Sequence, residues 1–356
     1  MEEREFVSWL KDEGLFQSVQ DNFPFFKRIL EENLGVTKNA SLLIVGDRGT
    51  PGFRSPAMMM GCYMLAAKRL GYQYSVTFQL PKVKGTPACT SLIRAFGNLP
   101  PNSHITLSLS GKLGSLRTMG KSFRKYINHN NHRFLSTTGL SELSTDHFSK
   151  LVRSMNVDYT EMARKGEKLK RMLDSAKLVR IITAAGTNLK IDIEGMVAVM
   201  NSGFSDELGG NIPGGEVYIP PRKNHVEGTL VIDGSCKSLN STILVKEPIK
   251  VFIESGLVKT IAGGAEAKAL KNSLDEAEKK AQYPWGVRRV GELGIGLNPK
   301  AGIIGPTIIN EKTLGTAHIA FGSNAWFGGT VYAITHLDQV FRDPKIWIDG
   351  KRIIIR

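Results

Sequence analysis

The chain has 356 residues, with 47 Lys+Arg against 33 Asp+Glu for a formal net charge of +14, and it is 41% hydrophobic and 22% charged. That apolar fraction excludes disorder as the main state, and the length allows two domains, or one large one, with a sizeable core. No apolar run approaches the roughly 18 to 20 residues of a membrane helix; the longest, at residues 56–67, contains Gly61. The opening Met-Glu-Glu-Arg-Glu is acidic where an export leader is basic. Cys62, Cys89 and Cys236 are isolated, odd in number and without CxxC spacing, which argues against a disulfide framework or a thiolate zinc site. A soluble cytoplasmic protein with no membrane segment is expected.

The first 35 residues read as helical, with a break near Pro24. Ser41–Gly46 is a short, wholly apolar run of the kind found in buried parallel strands. A helix at Ser55–Leu70 and a strand at residues 72–80 complete a βαβ unit. A third strand is expected at 104–110, a basic helix start or loop at 121–128, and a long amphipathic helix at 158–176. Beyond it the texture changes. Residues 177–184 and 188–194 read as a hairpin around Ala185-Gly186-Thr187. Strands follow at 228–233, Ile249–Glu254, Leu257–Ala262, Lys345–Ile348 and 352–355, with a helix at 265–281. The fold class expected is α/β: an N-terminal three-layer α/β domain (1–176) followed by a strand-rich α+β metal-binding domain (177–356).

Charge follows the same division. Residues 1–180 carry 27 basic and 15 acidic side chains, net +12, and residues 181–356 carry 20 and 18, net +2. Between Asp47 and Glu142 there is no carboxylate but 13 basic residues, among them Arg117, Lys121 and Arg124. Such a field attracts nucleic acid, anionic surfaces or acidic substrates, or is simply a solvated face. Nucleic-acid binding is the weaker reading, because no RRM, KH or zinc-finger pattern accompanies the basic residues.

Most polar motifs have plain structural readings. Asp47-Arg48-Gly49-Thr50-Pro51-Gly52 lacks the spacing of either phosphate-binding glycine motif and reads as a strand-to-helix loop. Met58, Met59, Met60 and Met64 read as core filler. His129 and His132, among asparagines, read as a hydrated basic loop.

The C-terminal half differs, because polar residues sit inside apolar strand-like runs. His336-Leu337-Asp338 projects an imidazole and a carboxylate to one face of a strand. His318 lies in Gly315-Thr-Ala-His-Ile-Ala-Phe, Glu292 in Gly291-Glu-Leu-Gly-Ile-Gly and Glu216 in Pro213-Gly-Gly-Glu-Val-Tyr. Burying an unpaired carboxylate is prohibitive, so three carboxylates and two imidazoles placed this way are expected to converge on one or two divalent cations.

This ordered set, with Glu227-Gly-Thr-Leu-Val-Ile-Asp233 and Gly263-Gly-Ala-Glu-Ala267, resembles the aminopeptidase T/aminopeptidase S metallopeptidases over most of residues 150–350. The resemblance implies a dimeric metallo-aminopeptidase acting on peptide substrates. It places two zinc or cobalt ions on Glu216, Glu292, His318, His336 and Asp338, with Glu216 or Glu292 as general base. One departure is Ala325, where that family has an active-site Tyr; Tyr332 is the nearby alternative. The sequence is also similar to 2,5-dihydroxypyridine 5,6-dioxygenase, a mononuclear iron(II) ring-cleaving enzyme with a His in place of Glu292. The ligand set favours the peptidase, and the dioxygenase stands as the alternative.

Overall fold

The computed structural model describes residues 3–83, 86–116, 119–120, 122–205 and 209–355. Lys84, Arg117 and Lys121 of the basic stretch lie outside them. The chain forms two compact units, Met1–Tyr159 with Gly203–Gly214, and Thr160–Ser202 with Gly215–Arg356.

The first unit is built on a parallel sheet in the order Gln73–Phe78, Ser41–Gly46, His104–Ser108, Arg133–Thr137 and Gly210–Asn211. The Ser41–Gly46 strand is apolar at both parities because both of its faces are covered. On one face, Leu43, Val45, Ile105 and Leu107 pack with Leu92 and Phe96 of the Thr90–Gly97 helix and with Tyr126 and Ile127 of the Phe123–His129 helix. On the other lies the Ser55–Leu70 helix, so close that a Cβ on Gly46 would stand 2.8 Å from Met60 Sδ. That helix is covered in turn by Glu3–Asp12 and Phe16–Arg28: a Cβ on Gly61 would lie 3.1 Å from both Leu10 and Val19. A helix enclosed on all sides needs no polar face. Hence Met58, Met59, Met60 and Met64 are all buried in it.

Two local expectations are corrected, at Pro24 and His132, and the open choice of helix or loop after residue 121 is resolved. The N-terminal helices break at Gly14, whose φ of +72° suits glycine, while Pro24 lies inside a continuous helix. The basic segment after Ser122 is a helix, Phe123–His129, capped by the Ser122 hydroxyl. His132 is buried rather than hydrated: its Nδ1 accepts the Ser103 N–H at 3.1 Å and its Nε2 lies 3.1 Å from the Tyr126 hydroxyl.

The second unit contains two seven-stranded antiparallel sheets and the helices Tyr159–Asp174 and Ala265–Lys280. One sheet runs in the order Leu257–Ala262, Ile249–Glu254, Val226–Ile232, Asn188–Asp192, Leu178–Ile182, Lys345–Ile348, Lys351–Ile353. The other runs Thr242–Leu244, Ser235–Lys237, His336–Arg342, Thr316–Gly322, Val290–Gly296, Glu216–Ile219, Val199–Asn201. The α/β class with a parallel N-terminal sheet and a strand-rich C-terminal part is therefore observed. No helix among the described residues is long and apolar enough to cross a membrane.

His104, at the start of its parallel strand, is buried, and its pKa falls to about 4 because desolvation and the neighbouring Arg133 both disfavour the charged ring. Between pH 6.5 and 4 the unfolded chain takes up a proton that the folded chain refuses. The contribution of His104 to stability is therefore fully present above about pH 6.5 and is lost progressively as the pH falls toward 4. His104→Gln should remove most of this slope in urea titrations run across that range; an unchanged slope would place the proton uptake elsewhere.

Candidate metal centre

All five residues singled out from the sequence lie on one face of one sheet. In the antiparallel register Glu292 faces Ala320 and Ala320 faces Asp338, so two carboxylates flank a methyl group across three strands. In the next row Gly294 faces His318, and beyond it Gly296 faces Glu216. His336 faces Gly322 at the other end. The alternate residues Leu293, Ile295, Ala317, Ile319, Leu337 and Phe341 are buried on the opposite face. The two-residue period of the strands thus separates a charged face from an apolar one.

The missing side chains on this face make the room. A Cβ on Gly294 would lie 2.1 Å from Cε1 and Nε2 of His318, so the imidazole occupies the space that Gly294 leaves. A Cβ on Gly296 would lie 2.1 Å from the Thr313 carbonyl oxygen and 2.9 Å from the carbonyl carbon of Lys312. At Gly291 the register between the Val290–Gly296 and Thr316–Gly322 strands shifts, an irregularity of the kind that re-aims side chains beside active sites.

Two groups of possible ligands result, each with its ligand atoms within 4.8 Å of one another: Glu292, His336 and Asp338, and Glu216, Glu311 and His318. In the first, His336 Nε2 is 3.1 Å from Asp338 Oδ1 and 3.4 Å from Glu292 Oε2. His336 Nδ1 is 2.8 Å from the Ser323 carbonyl oxygen. A carbonyl only accepts, so Nδ1 carries the hydrogen, and a neutral His336 turns the lone pair of Nε2 toward two carboxylates. Three electron-rich atoms can face one another only with a proton or a cation among them. Asp338 Oδ1 is moreover buried without an aligned hydrogen-bond donor. The arrangement therefore fits a divalent cation with oxygen and nitrogen donors, including the outer carbonyl that commonly orients a ligating imidazole.

The same charges set the pKa values. Burial alone would lower the imidazoles, but Asp338 and Glu292 outweigh it and raise His336 to about 10. His318 rises to about 9 against the same desolvation through its hydrogen bond to Glu292, at 3.0 Å between Nε2 and Oε1. Burial raises the Glu292 carboxyl, the nearby imidazoles opposing it. Asp338 falls well below the usual carboxylate range: desolvation opposes the shift, and the cationic His336 overcomes it.

The second group brings in Glu311, and with it Lys312, neither of which the sequence patterns mark. Lys312, with no exposure, donates from Nζ to Glu216 Oε1 and Glu311 Oε1. Burial pushes Glu311 up to about 8, Glu216 adding to the rise and Lys312 opposing it. Glu311 and Lys312 stand in the loop that follows Thr307–Asn310, where no periodic pattern marks a polar residue as inward-facing. The only sequence signal was their position just ahead of Leu314-Gly-Thr-Ala-His318. Tyr332 is 55% exposed and its ring lies beside that of Tyr283, 6.2 Å between centroids. The aromatic rings against the site are Trp326, edge-on to His336 at 4.7 Å and 52% exposed, and the more buried Phe327 at 6.3 Å.

The second unit thus carries a buried carboxylate–imidazole centre whose donor atoms could hold a metal ion. The family model of 2,5-dihydroxypyridine 5,6-dioxygenase (NicX) matches residues 137–356, and the chain belongs to that family. The curated 2,5-dihydroxypyridine 5,6-dioxygenase of Pseudomonas putida is 26% identical over 195 residues. That match covers 52% of this chain and 54% of the relative, about half the length of each. Among solved structures, 2,5-dihydroxypyridine dioxygenase from Pseudomonas putida KT2440 is similar at a TM-score of 0.72 and 19% identity, covering 95% of this chain and 96% of that one. AmpT from Thermus thermophilus is similar at 0.64 and 15% identity, with 94% and 97% covered. These likenesses establish a common scaffold.

The expectation of a metallo-aminopeptidase, a hydrolase, is overturned by the family match and the curated relative, both of which are dioxygenases. The physical reason for the error lies in the second ligand group. Its carboxylates are already held by an ammonium, so their burial has a partner without any metal ion.

Gly294→Ala should displace the His318 ring, weaken metal binding at least tenfold and destabilise the fold by about 1–3 kcal/mol through overpacking. Gly97→Ala, where an added Cβ meets nothing within 4 Å, serves as the control and should leave both unchanged. Metal titration and thermal melting check the pair, and wild-type binding in Gly294→Ala would remove the role given to the gap.

Proposed function

We propose that the protein is a metal-dependent ring-cleaving dioxygenase acting on a planar, hydroxylated aromatic or heteroaromatic substrate. Glu292, His336 and Asp338 would hold iron(II). The observation that carries this reading is that the matched segment 137–356 of a dioxygenase family contains the one ligand group, among the described residues, whose only basic contacts within 4 Å are imidazoles. Family membership also outweighs the difference noted at position 292, because a carboxylate is as competent an oxygen donor to iron(II) as the imidazole it replaces is a nitrogen donor.

Iron(II) held there would supply the redox chemistry that lets dioxygen react with an electron-rich ring. The chain's own residues do the rest. The Ser323 carbonyl fixes the His336 tautomer with Nε2 directed inward. His318 Nε2 lies on Glu292 Oε1 and leaves Oε2 turned toward His336, so Glu292 presents one oxygen to the centre. Gly294 and the fully buried surroundings of His318 prevent that ring from turning away. Trp326, half exposed beside His336, offers a flat apolar surface on which a substrate ring can stack.

Anaerobic reconstitution with iron(II), followed by addition of dihydroxypyridines or catechols, should give substrate-dependent oxygen uptake that a chelator abolishes. His336→Ala and Asp338→Ala should lower the rate by at least about a thousandfold, since each leaves the ion under-ligated. Absence of uptake across such a panel, with iron bound, would defeat the proposal. Trp326→Ala should raise KM about tenfold with a smaller change in kcat, the result of removing roughly 1–2 kcal/mol of ring contact. An unchanged KM would remove Trp326 from the substrate site.

A further inference from the structure

We infer that Lys312 is a built-in cation that closes the Glu216, Glu311 and His318 group to a metal ion. The inference concerns metal count and does not depend on the oxygenase reading. The two ligand groups adjoin through His318, whose Nε2 is 3.0 Å from Glu292 Oε1 and 3.8 Å from Glu216 Oε2. On ligand types alone either group could take a cation.

Their present partners separate them. Lys312 Nζ hydrogen-bonds to one oxygen of Glu216 and one of Glu311. A divalent ion shared by those carboxylates would sit about 2.0–2.6 Å from the same oxygens, in space the ammonium fills. The lysine has nowhere else to go. Its side chain has no exposure, its backbone N–H donates to Ile309 O at 3.2 Å and its carbonyl accepts from Asn298 N at 2.8 Å. The Asn298 side chain in turn accepts the N–H groups of Lys300 and Ala301 at 2.9 and 3.0 Å, tying down the loop on that side. Gly296 admits the Lys312–Thr313 backbone at a distance no side chain would allow. The backbone that carries the ammonium is thus held from both sides.

The Glu292, His336 and Asp338 group is different. Its contacts with basic side chains within 4 Å are with imidazoles, which become neutral donors when a metal displaces their protons. A lysine held between two carboxylates cannot make that exchange without losing both of its partners. One group is open to a metal and the other is closed by a covalent part of the chain.

The test is metal stoichiometry on the full-length chain, stripped with chelator, incubated anaerobically with excess Co2+, Mn2+ or Fe2+, desalted and analysed by elemental mass spectrometry. Wild type should retain one ion per chain and His336→Ala none. Lys312→Ala, which removes the ammonium from Glu216 and Glu311, should retain two. The double variant Lys312→Ala/His336→Ala should retain one, now in the opened group. Two ions in wild type, or one in folded His336→Ala, would overturn the inference, as would a single ion in folded Lys312→Ala. Should Lys312→Ala fail to fold, as judged by circular dichroism, Lys312→Ser, which keeps a small polar side chain there, takes its place with the same expected and overturning results. A protein that retains one ion but consumes no oxygen would defeat the dioxygenase reading and leave Lys312 in its place.

Discussion

Burying several carboxylates on one face of an antiparallel sheet is the constraint to which the rest of the second unit answers. Glu216, Glu292 and Asp338 are each less than one-tenth exposed, and Glu311 joins them from a loop with its side chain 13% exposed. Unpaired, each would cost several kcal/mol in lost hydration. Compensation comes from Lys312, His318 and His336, and these larger side chains need space that a flat strand surface does not provide. Gly294, Gly296, Ala320 and Gly322 create it on the charged face, while the opposite face keeps its apolar side chains. Charge and void are therefore two parts of one arrangement. An imidazole replaces the side chain missing at Gly294, and the Lys312–Thr313 backbone closes over Gly296.

Much of the scaffold is visible in local patterns, because those patterns report burial. Ser41–Gly46 is apolar throughout and is sandwiched on both faces. Ser55–Leu70 has no polar stripe and is enclosed by helices on one side and the sheet on the other. The face carrying His336 and Asp338 follows from their spacing alone, as does the paradox of Glu292 and His318 within apolar runs. Features set by distant partners were harder to read. His132 was read as hydrated because its neighbours are polar, yet Ser103 and Tyr126 enclose it. Short strands such as Ser235–Lys237 and Thr242–Leu244 gain their pairing from the sheet rather than from their own composition.

The motifs that suggested a peptidase are real, and they describe the scaffold more than the reaction. Gly-Glu-Leu-Gly-Ile-Gly, Thr-Ala-His-Ile-Ala-Phe-Gly and His-Leu-Asp each specify a strand with one charged face, gaps opposite the bulky ligands and an apolar reverse. Any chemistry built on this sheet needs those properties. Similarity to both a dihydroxypyridine dioxygenase and AmpT over nearly the whole chain is what such a shared requirement would produce.

Desolvation dictates where compensating charge must be and leaves open what carries it. A divalent ion, an imidazolium and a tethered ammonium all answer the same electrostatic demand. They differ in exchangeability. An imidazolium beside carboxylates gives up its proton to an incoming metal and then serves as a ligand, so the Glu292, His336 and Asp338 group can pass between a protonated and a metal-bound form without moving its backbone. Lys312 is joined to the chain and gives up neither its charge nor its position. Placing the exchangeable cations on strands and the fixed one on a pinned loop makes the two adjoining carboxylate groups unequal, and that inequality is what the strand motifs alone could not reveal.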